Sequence, residues 1–147
     1  MKSTLFALIM ASSSLAWAGE TVCTLEQWDN EKVAFSADFQ TIRHDIYDEN
    51  GNIFKSETLH GEGLVGGINI HPKNDSCDQS VFEFKGINQI LTTCQLDKAI
   101  HSFDYLTVDF RYDQDKKNGY YIVNSYYQAG SSNHSLKFKD CHQQQKQ

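Results

Sequence analysis

One proline, Pro72, stands in the 147 residues, and no apolar run after residue 18 is long enough to cross a bilayer. A spanning helix needs about 20 such residues, so the body of the chain is not expected to insert into a membrane. Local catalytic signatures are missing as well. The sequence has no His-Glu-x-x-His, no Gly-x-Ser-x-Gly and no Cys-x-x-Cys, which removes the motif-borne forms of zinc hydrolase, serine hydrolase and redox dithiol. Its six histidines are scattered, with His60 and His71 on either side of a Gly-rich stretch. Neither a metal nor a cofactor is therefore expected. Asp48-Glu49-Asn50-Gly51-Asn52 resembles the opening of a calcium loop, but its glycine comes two places early and no bidentate Glu closes it. Lys55-Ser56 lacks the second glycine of a phosphate loop.

Positive charge is also short. Thirteen Lys and Arg face nineteen Asp and Glu, a net −6. Nucleic-acid affinity comes largely from cations that neutralise phosphates, so nucleic acid is not an expected partner. The acidic balance serves solubility and also suits a basic protein partner.

What is present begins with an export signal. Lys2 is followed by the apolar run Leu5-Phe6-Ala7-Leu8-Ile9-Met10-Ala11 and then by Ala16-Trp17-Ala18. A charged start, a short apolar segment and a small-x-small site are what a signal peptidase reads. Residues 1–18 are thus expected to be a cleaved signal peptide of compact, bacterial type. Gly19 would be the mature N-terminus, and the product would be periplasmic or secreted. Loss of Lys2 takes the mature charge to −7, with 12 cations left against 19 acids. Residues 19–141 are long enough for one domain with its own core. The polar run His142–Gln147 is expected to be an unordered tail.

All four cysteines lie after the leader, and an even count in an exported chain reads as two disulfides. A turn at Lys85-Gly86 would set Phe84 opposite Ile87 and, continued outward, Cys77 opposite Cys94. Cys23 and Cys141 would then join the first mature strand to the last.

The dominant period is two, the mark of half-buried strands. Val33, Phe35, Ala37 and Phe39 alternate with polar residues, as do Leu106, Val108, Phe110 and Tyr112, and then Leu136 and Phe138. Pro72 marks a strand end, since proline donates nothing to a ladder. Asn50-Gly51 predicts a hairpin pairing Tyr47 with Phe54, His44 with Glu57 and Ile42 with Leu59. Asn118-Gly119 closes a polar loop into a second hairpin. Glycines 61, 63, 66 and 67 suit either a sharp barrel corner or a plain loop. Helix signals are weak: Gln89–Ile100 reads at least as well as a strand, with room for a short turn or helix at Leu96–His101. The expected fold is all-β, an antiparallel up-and-down barrel or two-sheet sandwich of about eight or nine short strands.

The segment Tyr120-Tyr121-Ile122-Val123-Asn124-Ser125-Tyr126-Tyr127 is aromatic on both strand faces. Tyr120, Ile122 and Tyr126 share one of them and are the candidate binding residues, tyrosine offering rigid area and a hydroxyl. The leading expectation is an exported, non-enzymatic binding protein, an inhibitor or immunity-type module acting on another protein. A barrel carrying a small apolar ligand is the first alternative. The second is a hydrolase whose residues meet only in the fold, with Asp104 and Asp109 as a candidate carboxylate pair. Oligomeric state is left open.

Overall fold

A computed structural model of the protein describes residues 19–144. The leader read at 1–18, with its cleavage site, and residues 145–147 of the tail lie outside the described residues.

Eleven strands run in chain order: β1 (Glu20–Leu25), β2 (Glu31–Phe35), β3 (Ile42–Tyr47), β4 (Ile53–Gly61), β5 (Leu64–Val65), β6 (Ile68–Asn69), β7 (Ser76–Phe84), β8 (Ile87–Gln95), β9 (Tyr105–Asp113), β10 (Asn118–Tyr127) and β11 (Gly130–Gln144). No helix forms among the described residues. All eleven belong to one sheet, in the order β6-β5-β4-β3-β2-β1-β11-β10-β9-β8-β7, and every pairing is antiparallel. The fold is an all-β antiparallel half-barrel. Consecutive strands are neighbours except β6 and β7, which form the two ends of the sheet. A two-sheet sandwich is therefore not the architecture, and the strand count exceeds the expected eight or nine. The surplus comes from β5 and β6, two residues each, within the Gly-rich stretch.

The sheet rolls because its apolar side chains share one face. Cys23, Leu25, Val33, Phe35, Leu106, Phe110, Tyr121, Leu136 and Phe138 are almost fully buried together. Phe35 of β2 meets Phe110 and Tyr112 of β9 at ring-centroid distances of 5.1 and 5.0 Å, although three strands separate β2 from β9 in the sheet. The interior is thus filled by rings. Gly66 and Gly67, at φ +60° and +78°, make the two-residue turn between β5 and β6. A Cβ on Gly66 would stand 3.0 Å from Val123 and 3.3 Å from Val108, so this hairpin caps the inward side of β9 and β10. The Tyr121 hydroxyl donates to the Leu59 carbonyl at 3.2 Å, fastening the same two regions.

Both disulfides are present, Cys23–Cys141 and Cys77–Cys94. The β7–β8 hairpin has Phe84 opposite Ile87 and Cys77 opposite Cys94, with Lys85 and Gly86 both at positive φ in its turn. Two disulfides point to folding in an oxidising compartment, periplasmic or extracellular.

Several local expectations need correction. His44 does face Glu57, but Tyr47 faces Ile53 and Ile42 faces His60, because bulges interrupt β3–β4 at both ends. The turn there is longer than a two-residue Asn-Gly turn. Asp48 carries it, its Oδ1 accepting the N–H groups of Asn50 and Asn52, and only Gly51 takes positive φ. Asn118-Gly119 is not a turn either: both residues lie in β10, and Lys117 supplies the positive φ just before them. The alternation through Ala37 and Phe39 is not a strand continuation. β2 ends at Phe35, and a tight turn held by Ser36 and Asp38 returns Phe39 onto the Phe35 ring at 5.8 Å. The tail is ordered further than expected, since His142, Gln143 and Gln144 pair with Val22, Thr21 and Glu20. Residues 97–101 form a turn with no helix, built on N–H donation from Ile100 and His101 to the Asp97 carbonyl.

Candidate functional site

Side chains alternate across β8, β9 and β10, so burial separates their two faces. Tyr121, Val123 and Ser125 point inward. Tyr120, Ile122, Asn124 and Tyr126 point out, Tyr126 being 39 % exposed. The register continues this outward face sideways. Tyr120 lies between Arg111 and Lys137, Ile122 between Asp109 and Ser135, and Tyr126 between Tyr105 and Ser131. Tyr120, Ile122 and Tyr126 therefore share an outer face of the half-barrel, with no covering element among the described residues.

Asp109 is the polar centre of this face. It accepts from Gln89 Nε2 at 3.0 Å and from the Tyr120 hydroxyl at 3.3 Å. Partial burial, and then the Asp109 charge, push the Tyr120 phenol above its ordinary pKa. The hydroxyl stays protonated and remains a donor. Beside it opens a groove of about 240 Å³, lined by Arg111, Lys116 and Lys137 with Asp113, Glu26 and Tyr120. None of its three cations makes an ion pair among the described residues.

The feature that strand periodicity did not reveal is β7. All nine of its residues are exposed, and it is the end of the sheet, paired only with β8. Val81, Phe82 and Phe84 are exposed to 63, 52 and 69 %. Phe82 and Phe84 share the outward face with Ile87, Gln89 and Leu91 of β8. Proteins usually blunt such an edge with charge, proline or a covering element. Here the strand carries charge at Asp78 and Glu83, and Lys85 Nζ lies 5.3 Å over the Phe84 ring, but no element covers it among the described residues. The first half of β4 is a second bare edge, with Ile53 and Phe54 at 52 and 76 % exposure. Alternation within the segment 80–85 marks it as a strand, but only the sheet order shows that nothing covers it.

Other candidate chemistry separates. Asp104 pairs loosely with Lys98 in a loop, while Asp109 is five residues further along extended chain, about 16 Å at ~3.3 Å per residue. That exceeds the 5–9.5 Å of a glycosidase carboxylate pair. A different dyad does form: His101 Nε2 lies 2.7 Å from Asp75 Oδ2. Burial of Asp75 pushes its carboxyl up, but N–H groups of His71 and Asp97 together with His101 outweigh it and hold the carboxyl below its usual 3.8. No serine or cysteine nucleophile bonds to His101 among the described residues, and Cys77 is in a disulfide. The dyad ties the β6–β7 connection to the β8–β9 connection. No group of three or more His, Cys, Asp or Glu among the described residues is placed to hold a metal, and no described helix is long and apolar enough to cross a membrane.

No protein-family model, no curated protein and no solved structure matches this chain.

Proposed function

We propose that the mature domain is an exported, non-enzymatic binding protein of the inhibitor or immunity type. Its partner, a basic protein, docks on the outer face of β7–β10, and the half-barrel acts as an up-and-down barrel left open between β6 and β7. The observation that carries this reading is β7. It is a nine-residue free edge bearing Phe82 and Phe84 on its outward face, and that face continues through Ile87 and Leu91 towards Ile122 and Tyr120. A partner strand added to this edge would use its backbone donors and acceptors, with the aromatic side chains giving specificity. Tyrosine and phenylalanine on a rigid sheet supply contact area at little entropic cost. The charge of −7 expected for the mature chain favours a cationic partner and speeds encounter with it.

The test uses two double variants, Tyr120→Ser with Tyr126→Ser and Phe82→Ser with Phe84→Ser. All four side chains face outward, so each variant should melt within a few degrees of the parent. Capture of the partner from the compartment where the protein resides should be lost in both. Undiminished capture by both variants would overturn the proposal.

A further inference from the structure

The hairpin turn decides which backbone groups of β7 are free. Lys85 and Gly86, both at positive φ, make a two-residue turn that Phe84 and Ile87 close. The residues closing such a turn exchange both of their N–H···O bonds, and bonded and non-bonded pairs then alternate along an antiparallel ladder. The register runs unbroken from Phe84–Ile87 to Ser76–Gln95. Phe84, Phe82, Ser80 and Asp78 therefore direct their N–H and C=O groups to β8. Glu83, Val81 and Gln79 direct theirs to the open edge, where no backbone group of the described residues meets them.

Side chains along this edge are bare on both faces of the sheet. Phe82 and Phe84 point outward. Val81 shares the inward face with its partner Ile90, yet Val81 is 63 % exposed and Ile90 3 %, so the inner surface also ends uncovered at β7. The charges of the strand are of one sign. Asp78 stands on the outward face and Glu83 on the inward one, and neither makes an ion pair among the described residues. The strand holds no Lys or Arg, so pairing with β7 of a second copy would leave both acids without a cation opposite. A strand of another protein with cations at those two places would neutralise both.

We propose that β7 takes an added antiparallel strand from a basic partner, hydrogen-bonded to Gln79, Val81 and Glu83. That strand sets one cation opposite Asp78 on the outer face, another opposite Glu83 on the inner face, and apolar residues opposite Val81, Phe82 and Phe84. This rests on docking at the outer face of β7–β10 and names the element that docks. The probe is an acetylated, amidated seven-residue peptide running opposite Phe84 to Asp78. It has valine at its first, third and fourth positions, lysine at its second and seventh, and threonine at its fifth and sixth. Added to the full disulfide-bonded protein, it should slow amide exchange at Gln79, Val81 and Glu83, read by heteronuclear NMR, the amides of Ser80 and Phe82 being protected without it. N-methylation of its fourth residue, whose N–H faces Val81, should weaken binding at least about tenfold, and N-methylation of its fifth, facing solvent, far less. Glutamate in place of both lysines should weaken binding about tenfold. No added protection at the three amides, equal loss from the two N-methylations, or undiminished affinity of the acidic peptide would each overturn the proposal. Protection that rises with protein concentration alone would overturn it in favour of a second copy. Gln79→Pro removes one edge N–H and leaves the β8 ladder whole. Partner capture kept in Gln79→Pro but lost in Tyr120→Ser with Tyr126→Ser would refute strand addition while keeping the outer face as the docking surface.

Discussion

Replacing the two disulfides separately should destabilise the protein unequally. Cys23–Cys141 joins residues 118 apart and Cys77–Cys94 residues 17 apart. In the chain-entropy model these closures contribute about 4.9 and about 3.1 kcal/mol, a gap of about 2 kcal/mol. The structure widens that gap. Cys23 and Cys141 are 0 and 3 % exposed within the main core, so Cys23→Ala with Cys141→Ala also leaves a void of order 1 kcal/mol. They lie where β1 meets β11, the pairing that unites the two halves of the sheet. Of the other pair only Cys94 is buried, at 1 % exposure, while Cys77 lies on the exposed edge strand, so its double variant leaves a smaller void and loss of its bond is partly absorbed by local fraying of β7. Urea unfolding followed by far-UV circular dichroism measures both double variants against the parent. With a slope of about 2 kcal/mol per molar, the Cys23/Cys141 variant should unfold at least about 1 M earlier than the Cys77/Cys94 variant. Equal midpoints, or a lower midpoint for the hairpin variant, would refute the reasoning.

Two further outcomes follow from close packing and from charge. At Gly119 a Cβ would stand 1.9 Å from the Arg111 carbonyl oxygen and 2.8 Å from the Phe138 ring. Gly119→Ala must therefore push β10 off β9, at about 3 kcal/mol or more. A melting temperature unchanged from the parent would contradict this; the expected fall is roughly 10 °C. The side chain of Asp75 is fully buried and its folded pKa is depressed below 3.8. Its contribution is present above the unfolded carboxylate value and is lost as pH falls through the folded one. Asp75→Asn should cost about 2–3 kcal/mol at pH 7 and flatten the acid limb of stability below pH 4, read by denaturant titration across pH; an unaltered acid limb would count against it.

Much of this fold was legible because strand pairing is local. Lys85-Gly86 sets the β7–β8 register, and that register alone brings Cys77 to Cys94. The alternation of Leu106, Val108, Phe110 and Tyr112 likewise defines one buried face of β9. Less legible were features decided by long-range packing. Gly66-Gly67 reads as loop or corner until Val108 and Val123 are seen against Gly66. The bulge beside His60 has no sequence mark, since only the pairing of β3 with β4 shows Arg43 opposite Thr58 and Ile42 opposite His60. For the candidate site, parity grouped Tyr120, Ile122 and Tyr126, but it could not say which face was inward. The buried Tyr121 hydroxyl on Leu59 decides that. The bareness of β7 depends on where the sheet ends, which no local pattern records.

Site-specific photocrosslinking tests the binding-surface claim most directly. A photoreactive phenylalanine analogue placed singly at Phe82, at Ile122 and at Glu57 would be irradiated in the producing cells. Glu57 is exposed on β4, away from the outer face of β7–β10. The account predicts one discrete heterologous adduct, the same basic protein from positions 82 and 122 and none from position 57. Adducts from position 57 alone, or none from 82 and 122, would contradict it.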